Sequence, residues 1–597
     1  MTGLTPAQRD AAMRWIADDP DPDTRVELQR VLAAALTGDR DAAADLIDRM
    51  AGTLRFGTAG LRGPVRAGPN GMNVAVVRRT TAGLAHWLRA RGRAGAPVVV
   101  GRDARRGSEA FAAAAAEVLA GAGFAVRTLP GPLPTPVLAF AVREIGAVAG
   151  VQITASHNPP ADNGYKVYVD DGGQLAPPAD TEIEAAIAAA PPAVSVPVGP
   201  PHGIVDVREA YLDRVARLPR GTARTLRIAL TPLHGVGGET AVLALARAGF
   251  TDVHVVSAQA APDAAFPTVA FPNPEEPGVT DALLETAERV GADLAVALDP
   301  DADRCALGVP TRAGWRMLTG DETGALLGDH ILRHGTGDRL VATTVVSSSM
   351  LRVIAAGYGA RFAETLTGFK WIARAGAGLV YGYEEALGYC VDPDAVRDKD
   401  GIAAAVLAAD LAATLTATGS GLLDRLDELA TAHGVHATAG LPVRMEPAAR
   451  DAVVERLRAR PPEGWTADRP APDVLVLRRG GGEGHGSIAA SASERGADRG
   501  REPTIQHGGE GHGSIAASAS ERGADRGREP TIETGERAVI RPSGTEPKLK
   551  AYLQVVEPVS SDLPAARAAA DARLHALRAE VEAMIGGPGS GVGDHRV

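Results

Sequence analysis

The sequence predicts an α/β protein of several domains, and three observations carry that expectation. Short apolar runs that read as strands recur at 97–100, 147–153, 226–230, 293–298 and 340–346. Each is closed by a polar or acidic loop, and helical patterns lie between them. That is a βαβ rhythm, which builds parallel sheets and puts functional loops at the strand carboxyl ends. At 597 residues with 45% apolar side chains, the chain is long enough for several cores.

In order, residues 1–50 read as a helical N-terminal extension, with helices at 6–17, 23–35 and 41–51. A first domain follows over 51–200. Its strand at 97–100 ends at Gly101-Arg102-Asp103, a helix covers 108–120 and another strand covers 125–129. The Pro-rich stretch 190–201 reads as a linker. A second domain is expected over 201–315 and a third over 316–436. Beyond about residue 434 the runs shorten and fit an α+β domain over 437–597.

Net charge is −11 with no basic stripe, which argues against nucleic acid as a partner. Two cysteines cannot build a disulfide framework. No signal-peptide core and no bilayer-length apolar run stand out, so no membrane partner and a cytoplasmic setting are expected. Only five of the 62 basic residues are lysine: Lys166, Lys370, Lys399, Lys548 and Lys550. In so arginine-rich a chain, these mark positions where a planar fork does not replace a compact ammonium.

The chemistry gathers in a few loops. The strand at 147–153 runs into Thr154-Ala155-Ser156-His157-Asn158-Pro159-Pro160, and Asn163-Gly164 reads as the turn into a second strand at 165–169. A serine at such a loop tip is expected to be exposed and approachable. Its hydroxyl needs a base or a phosphate to become reactive. Upstream, Phe56-Gly57-Thr58-Ala59-Gly60-Leu61-Arg62-Gly63 offers an open backbone and an arginine for a phosphate.

Asp299, Asp301 and Asp303 alternate, so their carboxylates converge on one hard cation. An EF-hand would need Gly and Glu where Arg304 and Pro310 stand, which leaves Mg²⁺ at a strand end with Arg304 toward a phosphate. The segment Arg541-Pro542-Ser543-Gly544-Thr545-Glu546-Pro547-Lys548 has the donors of a phosphate monoester cradle, and no Walker loop occurs. The segment 382–389 carries Glu384 and Glu385, good acceptors for sugar hydroxyls. Thr367-Gly368-Phe369-Lys370 and Arg397-Asp398-Lys399-Asp400-Gly401 add phosphate-sized polar loops.

These loops, in this order, resemble the α-D-phosphohexomutase superfamily, the phosphoglucomutases and phosphomannomutases, over roughly 54–555. The opening at 56–63 and the loop at 382–386 look most like the branch with phosphoglucomutase 2 and phosphopentomutase. The resemblance implies three related α/β domains plus a smaller fourth around a central cleft. It implies a phospho-sugar mutase acting on C1 and C6 of a hexose phosphate, with phosphopentomutase as the alternative. Ser156 would be the phosphoserine and, with Asp299, Asp301 and Asp303, would hold one Mg²⁺. Lys166 would be the general acid or base, with Arg62 and His157 beside it. Glu384 and Ala386 would face the sugar, as would Arg304, Thr367, Gly368, Lys370, Arg397 and Lys399. Arg541, Ser543, Gly544, Thr545 and Lys548 would hold the non-reacting phosphate. A hexose 1,6-bisphosphate would be the intermediate, and the protein would be a monomer or weak homodimer. Ala386 stands where many glucose- and mannose-specific members carry Ser. A metal-dependent phosphatase would not need the second phosphate cradle.

One stretch falls outside this scheme. Residues 481–505 recur letter for letter at 508–532. Gly, Ala, Ser, Arg and Glu dominate both copies, a composition that cannot bury enough surface to order itself. The expectation is a disordered insertion, 481–532, projecting from the fourth domain.

Overall fold

The computed structural model describes residues 4–56, 60–480, 534–542, 548–560 and 562–586. The duplicated segment 481–532 lies outside the described residues, as do Ser543, Gly544 and Thr545 of the expected phosphate cradle.

Three helices open the chain: α1 (Pro6–Asp18), α2 (Pro22–Leu36) and α3 (Arg40–Arg49). Thr5 caps α1 in a capping box with Gln8, Asp21 caps α2, and Asp39 caps α3. Leu28, Leu32 and Leu46 close over Ala67. Arg49 Nη1 reaches Glu27 and the carbonyl of Ala67, so the helices are pinned onto the following unit.

The first sheet holds β1 (Leu61–Pro64), β2 (Pro97–Arg102), β3 (Ala125–Pro132), β4 (Ala149–Ile153) and β5 (Asp162–Val169), in the order β1-β5-β4-β2-β3. β2 is parallel to β3 and β4, and β5 is antiparallel to β4. The second sheet holds β6 (Arg227–Thr231), β7 (Asp252–Val255), β8 (Leu294–Leu298), β9 (Cys305–Thr311) and β10 (Gly314–Met317), in the order β10-β9-β8-β6-β7. Here β6 is parallel to β7 and β8, and β9 turns back on β8. The third holds β11 (Leu340–Thr344), β12 (Arg361–Thr365), β13 (Leu379–Glu384) and β14 (Gly388–Cys390). β11 is parallel to β12 and β13, and β14 is antiparallel to β13.

The three sheets therefore share one motif: a central strand flanked by two parallel neighbours, with a fourth strand turning back. The turn into that fourth strand carries Ser156 in the first unit, the three aspartates in the second and Glu384 with Ala386 in the third. Fully buried strands such as β4, β8 and β11 read as continuous apolar runs because helices cover both faces.

The fourth unit is antiparallel: β15 (Val435–Arg444), β16 (Thr466–Ala471), β17 (Val474–Arg479), β18 (Gly535–Pro542) and β19 (Lys548–Glu557), in the order β15-β19-β18-β17-β16. The helix Leu563–Gly586 packs on it through Leu577, Val581 and Ile585. β17 pairs directly with β18, from Leu475 opposite Ile540 to Arg479 opposite Glu536. The chain thus leaves at Gly480 and returns beside it. The boundary expected at 315/316 falls inside β10, which pairs with β9 and so extends the second sheet to Met317. The boundary expected at 436/437 falls inside β15.

The buried helix Gly401–Thr416 sits against β8 and β9 of the second unit. Asp400 caps it by accepting from the backbone of Ala403.

Candidate active site

The serine loop is built by its neighbours. Ser156 has φ +54°, in the left-handed region that non-glycine residues rarely enter. Its N–H donates to Thr154 Oγ1 at 2.9 Å. Arg105 holds the loop from behind, donating to the carbonyls of Ser156, Asn158, Pro159 and Asp162. Asn163 and Gly164 are not a turn. They lie in β5, opposite Gly63 and Arg62, and the loop proper precedes them. Gly164 is required because a Cβ there would lie 2.5 Å from the Thr154 carbonyl and 2.7 Å from that of Leu61. Asn163 instead anchors the strand through the Arg106 carbonyl and Ser108.

Ser156 is fully buried, contrary to the expected exposed tip. The reason is the second unit, whose aspartate loop closes over it. Ser156 Oγ donates to Asp299 Oδ2 at 2.8 Å and accepts from Arg304 Nη1 at 2.8 Å. Asp299, Asp301 and Asp303 are each fully buried, with oxygens within 4.8 Å of one another. Ala302, at φ +55°, makes the bend that lets all three converge. Burial first, then Asp301 and Asp303, push the Asp299 carboxyl up to about 8. Burial also opposes charge on Asp301 and Asp303, yet Lys166 outweighs it and both stay below the usual carboxylate range. Lys166 Nζ lies 2.7 Å from both Asp301 Oδ2 and Asp303 Oδ2.

The residues fit a divalent cation. Asp301 Oδ1 is buried with no hydrogen-bond partner among the described residues, and burial beside Asp301 and Asp303 opposes a negative charge on Asp299 that a cation would offset. An all-carboxylate donor set suits a hard ion such as Mg²⁺.

The third unit adds Glu384 and Ala386. Arg304 Nε donates to the Ala386 carbonyl at 2.9 Å, and its Nη2 lies 3.6 Å from Glu384. Glu385 turns away and is bound by Ser347 and Thr344. Lys399 is buried, 3.5 Å from Asp303 and 3.2 Å from Asp398. Burial opposes its charge, but Asp303 and Asp398 outweigh that and raise its pKa.

Arg62 Nη1 donates to Asn158, while its Nε is buried without a partner. His157 packs edge-on against Phe271, and its Nδ1 is 3.9 Å from Asp299 Oδ2. Burial, then Arg304 and Arg62, hold its imidazole well below the ordinary range, so it is neutral. Other expected residues stand apart from the aspartates. Lys370 lies over the Trp371 ring, beside Gly368 at φ +110°. Thr367 precedes that bend. Arg397 lies 3.6 Å from Asp171 of the first unit. Arg541 lies in β18 with its Nε buried and unpartnered, and Lys548 opens β19.

Sequence reasoning missed Arg105, Thr135 and Asp398. Thr135 donates to Asp301 from the start of a helix in the first unit. Arg105 had a signal: it follows Gly101-Arg102-Asp103 at the carboxyl end of β2, where this topology places functional loops.

Three family models match the chain, for phosphoglucomutase/phosphomannomutase alpha/beta/alpha domains I, II and III, at residues 53–193, 209–312 and 319–431. Together they cover more than half of it. The chain belongs to the phosphoglucomutase/phosphomannomutase family. It is an intramolecular phosphotransferase of the isomerase class. A Haemophilus influenzae protein named "probable phosphomannomutase" is 37% identical over 493 residues, 81% of this chain and 93% of that protein. A mouse phosphopentomutase is 33% identical over 474 residues, 71% of this chain and 74% of that protein. A solved phosphoglucomutase/phosphomannomutase family protein from Burkholderia thailandensis shares the fold at a TM-score of 0.64 and 20% identity. It covers 89% of this chain and 98% of that one. Among the described residues, no helix is long and apolar enough to cross a membrane.

Proposed function

We propose that this mutase moves a phosphoryl group between C1 and C6 of a hexose phosphate through a phosphoserine at Ser156 and a bisphosphorylated sugar. One observation supports this most: Ser156 Oγ sits between Asp299 and Arg304, each at 2.8 Å, with Lys166 beyond. A phosphoryl group on that oxygen meets a guanidinium, and the serine is shielded from water.

In the forward half-reaction the sugar hydroxyl oxygen attacks phosphorus and the Ser156 Oγ–P bond breaks. Lys166 Nζ would give a proton to the departing Ser156 Oγ and be restored by the proton of the attacking hydroxyl, so none is left over. The sugar, now carrying two phosphates, turns over. Its other phosphate then returns to Ser156 Oγ, leaving the isomeric monophosphate. Arg304 follows the moving charge, since it touches both Ser156 and the sugar loop. Asp299, Asp301 and Asp303 would hold Mg²⁺, which when bound neutralises charge on the phosphoryl oxygens. Arg541 and Lys548, with Ser543, Gly544 and Thr545, would hold the phosphate that does not react. Glu384 would accept from sugar hydroxyls.

A pentose substrate is the second reading, favoured by relatives named phosphopentomutase at 32–33% identity. A mouse relative is named glucose 1,6-bisphosphate synthase, so the bisphosphate itself is a candidate product. Turnover of glucose-1-phosphate, mannose-1-phosphate and ribose-1-phosphate, each with its bisphosphate present, decides among these. Turnover of none of them contradicts the mutase reading.

A further inference from the structure

Asp398 is buried and has no place in the steps above, yet it joins two units at the edge of the aspartate cluster. Its Oδ2 accepts from Tyr168 Oη at 2.7 Å and from Gln174 Nε2 at 2.8 Å, both in the first unit. Its Oδ1 accepts from Lys399 Nζ at 3.2 Å. Burial, then Asp398, raise the Tyr168 phenol well above its ordinary value, so it stays protonated and able to donate. The carboxylate is therefore clamped on one oxygen and presents the other to the lysine.

The stem of Lys399 is hemmed in, while its ammonium reaches both Asp398 and Asp303. A Cβ on Gly388 would lie 2.4 Å from its Cδ, and its ammonium lies 5.2 Å from the centre of the Phe369 ring. Asp303 lies 3.5 Å from that ammonium, and Glu384 is a further anionic neighbour. Asp303 already carries Lys166 on Oδ2 at 2.7 Å and Arg304 on Oδ1 at 3.1 Å. Lys399 is thus already a third cation within ion-pair range of that carboxylate, and a closer approach would compete with a divalent ion for the same oxygens.

We propose that Asp398 is a positioning residue: clasped by Tyr168 and Gln174, it holds the Lys399 ammonium off Asp303 and keeps that carboxylate available to the divalent cation. This rests on the reading of Asp303 as a metal ligand. Without Asp398, Lys399 turns wholly to Asp303. The same contact ties the third unit's lysine to the first unit's sheet, so the metal loop is tuned only when the units are packed together.

The test is Mg²⁺ binding to the full chain by titration calorimetry, independent of turnover. Asp398→Asn retains an oxygen for Tyr168 and Gln174 and turns an amide nitrogen toward Lys399. It should weaken Mg²⁺ binding about ten-fold, as loss of an outer partner does at other metal sites, with the melting temperature unchanged. In a Lys399→Met background, the same substitution should change Mg²⁺ affinity by less than about two-fold, since uncoupled sites add and coupled ones do not. Equal weakening in both backgrounds would show that Asp398 acts by charge alone and overturns the proposal, as does unchanged binding in Asp398→Asn. If Asp398→Asn lowers the melting temperature, Tyr168→Phe removes one anchor and leaves the carboxylate. Weaker binding that vanishes with Lys399→Met then supports the proposal, and unchanged binding overturns it. A wild-type protein that binds no Mg²⁺ contradicts the metal reading itself, a result distinct from either.

Discussion

Ser156 Oγ donates a 2.8 Å hydrogen bond to Asp299 Oδ2, across 143 positions of sequence and between two separate sheets. Each residue sits in the turn between the last parallel strand of its unit and the strand that doubles back. The candidate site is thus one topological position, used in each of the first three units and brought together by packing.

Arg105 should matter nearly as much as the residues that touch substrate. It donates to four carbonyls of the serine loop and stacks 4.9 Å from the centre of the Phe266 ring. Arg105→Ala leaves those carbonyls without their donor and should cost about 2–4 kcal/mol of stability. It should also lower kcat about a hundred-fold by freeing Ser156 from its left-handed backbone. Arg105→Lys should rescue stability only in part, because one ammonium cannot span both ends of the loop. Chemical denaturation and steady-state kinetics read the two effects.

Lys166 must be compact. Its ammonium fits between Asp301 and Asp303 at 2.7 Å from each, in a fully enclosed site. A guanidinium is larger and planar, so Lys166→Arg should lower kcat within about ten-fold of Lys166→Ala. An arginine variant with wild-type kcat would reduce Lys166 to a replaceable charge.

Much of this was legible in the sequence, and the reasons differ by element. The strands β2, β4, β8 and β11 and the helices α1 to α3 follow local apolar pattern and capping residues. The serine and aspartate loops announce themselves by polar residues packed against apolar runs. The burial of Ser156 was not legible, because it depends on a loop far away in sequence. Asn163-Gly164 has the composition of a turn, but tertiary contacts at Ser108 and Thr154 draw it into a strand. The expected ends of the second and third units fall inside strands because β10 is short and β15, though ten residues long, is half-buried with weak alternation. Asp398 sits in a visible polar loop, but its partners, Tyr168 and Gln174, lie more than 220 positions away.

The pairing of β17 with β18 makes the duplicated segment removable. A Cβ on Gly480 would lie 3.7 Å from the Cα of Gly535, so the strand ends already meet. Deleting residues 481–533 and joining the ends with a two-residue Asn-Gly turn should leave kcat unchanged and shift the melting temperature by less than about 2 °C. Size-exclusion chromatography and calorimetry check the product. A large loss of kcat would give the segment a part in the working enzyme.

His436 should make stability pH-dependent. It lies at the seam of the third and fourth units, with Nδ1 2.9 Å from Ser349 Oγ. Burial lowers its pKa to about 4 against an ordinary 6.5. Between those values the unfolded chain binds the proton more tightly, so stability rises with pH across that window. The contribution is complete above about 6.5 and is lost as pH falls toward 4. It amounts to on the order of 3 kcal/mol. Denaturation midpoints at intervals from pH 4.5 to 7 should fall on the acid side, and His436→Gln should flatten that slope.

One experiment asks directly whether Ser156 carries the phosphoryl group. The purified protein is incubated with glucose 1,6-bisphosphate labelled in its phosphates, cleared of free sugar, digested and sequenced by mass spectrometry. A sugar monophosphate is then added to a second portion. Label should appear on the peptide containing Ser156 alone and depart into sugar bisphosphate in the second portion, with neither result in Ser156→Ala. Label on another residue, or a Ser156→Ala protein that turns over at the wild-type rate, would contradict it.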